Sequence, residues 1–243
     1  MPTGLSIKRI KNLKMKHIII PKLLLLVLFT FGFSNIRGQE QGEQHENKAN
    51  QYMNRSSIES LVNAFDSPDR AAWQKPDEVI ALFGDVAGKK IMDLGAGSGY
   101  FTLRLAAKGA QVIAADVSDR FQEIILEKLE REDVRQLSES IELRKVPYEN
   151  PGLKKEEVDG ILIVNTWHHI DGRRSYMEKT LEGVKKGGKI IIVDFKLGVA
   201  GGPPDSHRLS LETAMDEIRD LEFAEIQIDT SLLDRQYIII GMK

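Results

Sequence analysis

Residues 91–101 read IMDLGAGSGYF, a short apolar run closed by Asp93 and followed by glycines at 95, 97 and 99. No other stretch constrains the fold so tightly. The apolar run reads as a buried strand. The three glycines permit left-handed backbone and remove the Cβ atoms that would keep a ligand away from the main chain. A strand that passes through such a turn into a helix belongs to an open α/β sheet. In such sheets ligands bind beyond the carboxyl ends of the strands, at the point where strand order reverses.

The rest of the chain repeats the alternation. After the strand at Lys90–Leu94, further β-rich runs fall at Val112–Ala115, Ile141–Leu143, Ile161–Val164 and Ile190–Val193. Helical patterns lie at Phe101–Lys108, Arg120–Leu137 and Arg173–Val184, while the third crossover is short and charged (GLKKEEVD). Strands alternating with helices imply a parallel sheet covered on both faces. Unbroken apolar runs such as GILIVN and KIIIVDF fit strands buried on both sides. The end differs: Ala224–Ile228 and Tyr237–Ile240 flank Leu232-Leu233-Asp234, which predicts a terminal antiparallel hairpin. The expected fold class is therefore α/β, doubly wound and mostly parallel.

The N-terminus has another character. Lys8, Arg9, Lys11, Lys14, Lys16 and Lys22 precede an apolar run from Leu23 to Phe33. That run is shorter than the ~20 residues of a membrane span and matches the ~7–15 of a signal-peptide core. Residues 1–38 read as an export signal cleaved near Gly38, with a retained membrane anchor or a buried helix as alternatives and Met15 as a possible start. Residues 39–56 are polar and read as a flexible tether, because they bury too little to offset their ordering entropy. Residues 57–243 remain as the folded domain. The expected location is exported, periplasmic or secreted.

The chain has 243 residues, enough for one domain and a leader. A net charge of −2 lacks the basic footprint of a nucleic-acid binder. The absence of cysteine excludes disulfides, thiolate zinc sites and a thiol nucleophile.

A second acid, Asp116, closes the second strand about 20 residues beyond the turn, where a carboxylate can accept hydrogen bonds from both hydroxyls of a ribose. The rival fingerprint, G-x-G-x-x-G/A of the nicotinamide dehydrogenases, needs a small residue for close helix packing. Here Tyr100 follows Gly99, and no convincing Tyr-x-x-x-Lys pair is present. Asp93 beside the turn would repel a pyrophosphate yet can help bind an ammonium group.

With IMDLGAGSGY, IAADVS, ILIVNTWHHI and LEGVKKGGKIIIVDF in order, residues Ile91 to Phe195 resemble the class I S-adenosylmethionine-dependent methyltransferases. Lys186 stands where that family usually carries proline, and RAAWQKPDEVI upstream resembles a bacterial subgroup of mostly unassigned substrate. The resemblance implies a Rossmann-like, seven-stranded sheet with an antiparallel last strand, S-adenosylmethionine as cofactor, and a small-molecule methyl acceptor. It carries cofactor binding over to Asp93, Gly95, Gly97, Gly99, Asp116, Val117, Tyr148 and Asn165. Tyr148 follows the third strand, where the family contacts adenine, and either stacks on the base or packs. His168 and His169 lie in the loop that the family sets beside the reactive methyl. They are the candidate bases if the acceptor is a hydroxyl, and otherwise packing residues.

Arg70, Trp73 and Gln74 either cover the cofactor or pack, with Arg70 solvated. The loop from Gly201 to Arg208 either contacts substrate or forms plain surface. Asn165, Asp194 and His207 carry oxygen and nitrogen donors suited to a metal, but no ligand-spaced motif supports one, and no metal is expected. Arg173-Arg174 and Lys185-Lys186 read as solvated helix ends. The loop lacks the Asn-Pro-Pro-Tyr pattern of amino-methylating nucleic-acid enzymes, so no nucleic-acid partner is expected, and a membrane partner only through an uncleaved leader. Two other functions stay open: a non-catalytic S-adenosylmethionine-binding protein, to which the export signal gives weight, and an NAD-dependent oxidoreductase.

Overall fold

A computed structural model describes residues 8–10 and 47–243. The leader's apolar run and the expected cleavage point near Gly38 lie outside the described residues. Among those described, no helix is long and apolar enough to cross a membrane.

The strands are β1 (Lys8–Ile10), β2 (Lys90–Leu94), β3 (Gln111–Asp116), β4 (Ile141–Lys145), β5 (Val158–Val164), β6 (Val184–Phe195), β7 (Glu225–Asp229) and β8 (Gln236–Met242). They form one sheet in the order β1-β7-β8-β6-β5-β2-β3-β4. β4, β3, β2, β5 and β6 run parallel, and β8 runs antiparallel between β6 and β7. The seven expected strands and the terminal hairpin are thus present. An eighth, β1, comes from inside the expected leader and pairs antiparallel with β7, Arg9 opposite Gln227.

Order reverses between β2 and β5, which are neighbours although β3 and β4 lie between them in sequence. The loops leaving these two strands therefore face each other at the carboxyl edge. One apolar cluster lies on the face carrying α7 (Arg173–Gly183) and α8 (Leu211–Ile218) and includes Met92, Ile113, Ile161 and Trp167. The other face carries α4 (Pro76–Ala81) and α5 (Tyr100–Ala107) and buries Ile91, Val112, Leu162 and Val193. Alternate strand residues feed opposite faces, which is why the strands read as unbroken apolar runs.

Four expectations are corrected. Lys48–Arg55, inside the expected tether, form a helix, α1, with Asn47 accepting the Ala49 N–H at 2.9 Å as its cap. Its order comes from polar contacts with a distant loop rather than from apolar burial. The Arg120–Leu137 pattern divides into α6 (Asp119–Leu129) and a 3₁₀ segment at Arg135–Ser140. Lys185 and Lys186 lie in β6, exposed, not at a helix end, and Lys185 pairs with Asp159 at 2.9 Å. Arg173 is not a solvated helix end either, since its guanidinium is largely covered and grips Glu217 of α8 at 2.6 and 2.8 Å.

Candidate active site

β2 delivers Asp93 and the glycine turn to the carboxyl edge. Gly95, Gly97 and Gly99 have φ of 77°, 51° and 82°, all in the left-handed region. A Cβ on Gly95 would lie 2.2 Å from Thr166 Oγ1, so at this point the turn touches the loop that leaves β5. A Cβ on Gly97 would meet the Phe65 ring at 3.3 Å. Phe65 ends α2 (Ile58–Phe65), a helix docked on the turn through Asp66, which accepts from Ser98 Oγ at 2.8 Å and Lys128 Nζ at 2.6 Å.

Asp116 closes β3 and is 7% exposed. Its Oδ2 accepts from Gly97 N–H at 2.9 Å and its Oδ1 from Ser118 N–H at 2.9 Å. These donors offset burial, which raises its pKa. The carboxylate thus fixes the middle of the glycine turn and retains further lone pairs for a diol. Val117 beside it is half-buried against the larger core cluster.

Asp93 sits deeper. Thr102 Oγ1 donates to its Oδ2 at 2.7 Å, and burial lifts its pKa to about 6 against the opposing pull of Thr102 and Arg70. Arg70, in α3 (Arg70–Gln74), is not solvated: it is 8% exposed, with its guanidinium carbon 4.0 Å from the Tyr100 ring centroid. Trp73 packs beside Phe195, their ring centroids 5.9 Å apart.

On the other side of the switch point, the loop after β5 presents Asn165 at φ 55°, followed by a 3₁₀ turn at Trp167–His169. The structure separates the two histidines. His168 Nδ1 lies 2.8 and 2.9 Å from the carboxylate oxygens of Asp194, which also accepts the His168 backbone N–H at 3.0 Å. Asp194 is fully buried at the end of β6, so His168 donates through Nδ1 and keeps Nε2 as a lone-pair nitrogen. His169 instead meets Asn50 Oδ1 through Nδ1 at 2.9 Å. Burial, reinforced by His168 4.3 Å away, drives its pKa down to about 3, which keeps it neutral.

The polar segment before the domain completes this wall. Asn47 Nδ2 donates to the His168 carbonyl and Asn50 Nδ2 to the His169 carbonyl, each at 3.0 Å. The Tyr52 ring stands 6.0 Å from that of His207. The Gly201–Arg208 loop is tied down by Arg208, which donates to the carbonyls of Lys196, Val199, Gly201 and Pro203. Tyr148, by contrast, is 54% exposed, with no packing role to hold it. Asn165 and Asp194 are bonded to Gln236 and His168, and no group of three or more metal-ligating side chains occurs among the described residues.

Asp194 as partner of His168, and Asn47 and Asn50 as clamps on the loop, were not assigned from sequence. A signal for Asp194 was present: like Asp93 and Asp116, it closes an apolar strand.

The family model described as a methyltransferase domain matches residues 92–192, the span from the glycine turn to β6. That span holds the strands and loops that form the carboxyl edge described above. An uncharacterized methyltransferase of Mycobacterium bovis is 28% identical over 137 residues, 56% of this chain and 51% of that protein. A demethylmenaquinone methyltransferase of Clavibacter sepedonicus is 30% identical over 110 residues, 45% of this chain and 42% of its own length. The chain spans about half the length of the curated relatives it matches. Among solved structures, a SAM-dependent methyltransferase from Aquifex aeolicus superposes with a TM-score of 0.67 at 20% identity, over 77% of this chain and 99% of that one. Phosphoethanolamine N-methyltransferase 2 of Haemonchus contortus, solved with S-adenosyl-L-methionine, gives 0.65 at 12% identity over 79% of this chain and 59% of its own. These two likenesses establish the methyltransferase fold.

Proposed function

We propose that the chain transfers a methyl group from S-adenosylmethionine to a small-molecule acceptor. The observation that carries this reading is the facing of two loops across the β2–β5 switch point: the glycine turn anchored by Asp116, and the Asn165–His169 loop anchored by Asp194. The residues present suit the cofactor. Asp116 offers a buried carboxylate to ribose hydroxyls, the Cβ-free turn admits close main-chain approach, and Asp93 places negative charge behind the site of the ammonium group. Tyr148 is free to stack on a base, and the loop that carries Asn165 meets the turn at Thr166.

S-adenosylmethionine, when bound, supplies a methyl on a good leaving group, so the protein's tasks are alignment and exclusion of water. For a hydroxyl acceptor a proton must also be removed. His168 is favoured over His169 for that role, because its Nδ1–H is directed at Asp194 and its Nε2 is left as the base. As Nε2 takes the proton, the Asp194 carboxylate stabilises the imidazolium. His169, held neutral and clamped by Asn50, shapes the wall. For a thiolate or amine acceptor the same geometry serves by alignment alone.

A panel of phenols, thiols and amines, read by release of S-adenosylhomocysteine, tests the reading. Turnover with one class establishes transfer and names the acceptor chemistry. Tight cofactor binding without turnover on any class would favour the non-catalytic binder.

We also propose export, supported by the basic start and the short apolar run. Cleavage near Gly38 would remove β1 and leave the seven-stranded sheet intact. Mass spectrometry of the mature N-terminus decides it: full-length protein in the cytosol contradicts export, and full-length protein in the membrane favours an anchor.

A further inference from the structure

Two glutamines far apart in sequence, Gln74 in α3 and Gln236 at the start of β8, are both fully buried. Glutamine is seldom buried, and an apolar side chain of similar length would fill the same space without an amide to satisfy. These two amides are joined. Arg70 Nε donates to Gln74 Oε1 at 2.5 Å, Gln74 Nε2 to Gln236 Oε1 at 3.0 Å, and Gln236 Nε2 to Asn165 Oδ1 at 2.5 Å. Every donor runs the same way, from a guanidinium to the loop after β5. In a head-to-tail chain each bond polarises the next, and a cation at the donor end strengthens the series. The final amide nitrogen, Asn165 Nδ2, is left to donate at the carboxyl edge.

Both ends of the chain sit at the cofactor cleft. At one end Arg70 lies over Tyr100, the first residue of the helix leaving the glycine turn, and donates to the Phe65 carbonyl at 2.6 Å. The Phe65 ring is the neighbour that a Cβ on Gly97 would meet. At the other end is Asn165, a non-glycine residue at φ 55°. Asparagine adopts this left-handed conformation more readily than other side-chain-bearing residues, and two bonds fix it here. The Asn165 backbone N–H bonds Val193 at 2.9 Å, and its side chain bonds Gln236.

We propose that Gln236 is a positioning residue for cofactor binding: it relays hydrogen bonding from the Arg70 side of the cleft to Asn165, so that the glycine-turn wall and the Asn165–His169 loop are set as one unit. This rests on the S-adenosylmethionine reading above. Gln236 acts through Asn165 and Gln74 and is not itself a catalytic residue. The consequence is specific. Gln74 and Asn165 share no bond, yet their contributions to cofactor affinity are linked through Gln236.

The experiment is a double-mutant cycle on the full chain, reading calorimetric affinity for S-adenosylmethionine and, separately, melting temperature without it. Q74M and N165A should each weaken binding about 10-fold, and together far less than the ~100-fold product expected of independent sites. In the Q236M background Q74M should be nearly silent on affinity, because Gln74 reaches Asn165 only through Gln236, while N165A keeps the loss of its own contact. Affinity losses that multiply, in the parent and in Q236M alike, would overturn the relay and leave the cofactor reading standing. A parent that binds no S-adenosylmethionine, with coupling seen only in melting temperature, would fail the cofactor reading and reduce Gln236 to a structural link. If Q236M does not fold, the Q74M–N165A cycle alone decides, because multiplicative losses there contradict the relay.

Discussion

The backbone N–H of Gly97 donates to Asp116 Oδ2 across 2.9 Å, so the middle glycine of the turn and the carboxylate closing the next strand form one unit. A change at Asp116 therefore acts twice. Asp116→Ala should weaken S-adenosylmethionine binding by ~1–3 kcal/mol through lost ribose hydrogen bonds, and cost about 1–2 kcal/mol of fold stability because Gly97 and Ser118 lose their acceptor. Calorimetry and chemical denaturation separate the two effects. Equal affinity in parent and variant would remove Asp116 from the cofactor site.

Two buried groups should oppose each other in the pH dependence of stability. Asp93 has its folded pKa raised to about 6 from 3.8, so between those values the folded state holds a proton that the unfolded state has lost. Its contribution therefore falls as pH rises through that window. His169 has its folded pKa lowered to about 3 from 6.5, so there the unfolded state holds the extra proton. Its contribution rises with pH over the same range and is lost as pH falls. Each effect has a slope of up to about 1.4 kcal/mol per pH unit, and from these two groups the parent should be nearly flat between about pH 4 and 6. Asp93→Asn should expose the rising His169 slope and stabilise the fold at pH 7 by on the order of 2 kcal/mol, while weakening cofactor binding. His169→Asn should expose the falling slope. Denaturation series at several pH values check this, and identical profiles in all three proteins would contradict it.

The histidines should also separate kinetically. With a hydroxyl acceptor, His168→Ala should lose ~10²–10⁴-fold in turnover while keeping cofactor affinity. Asp194→Asn should follow it in direction, since an amide neither fixes the Nδ1–H tautomer nor stabilises the imidazolium. His169→Ala should retain most activity at neutral pH. Loss in His169→Ala with His168→Ala unaffected would reverse the assignment.

The strands, the glycine turn and its two acids were legible because each rests on local chemistry: apolar runs of strand length, glycines where φ is positive, and acids closing strands. α1 was not legible. Of Lys48–Arg55 only Ala49 is buried, and its helical neighbours Tyr52 and Met53 are too few to stand out in a polar segment. Asn47 and Asn50 hold it to His168 and His169 more than a hundred residues away, and such pairings leave no periodic trace. Gln74 and Gln236 were hidden for the same reason, because a buried glutamine reads in sequence like an exposed one. Tyr100 was read as too bulky for a dinucleotide turn, and its partner Arg70 was left open between cover and solvent. A cation stacked on a buried ring is a tertiary fact.

Titration of the purified full chain with S-adenosylmethionine, with NAD as the parallel ligand, tests the central claim most directly. The account predicts one site per chain for S-adenosylmethionine, no heat with NAD, and loss of the site in Gly97→Val, whose side chain would press on Phe65 and break the left-handed turn. Binding of NAD instead, or S-adenosylmethionine binding that survives Gly97→Val unchanged, would contradict it.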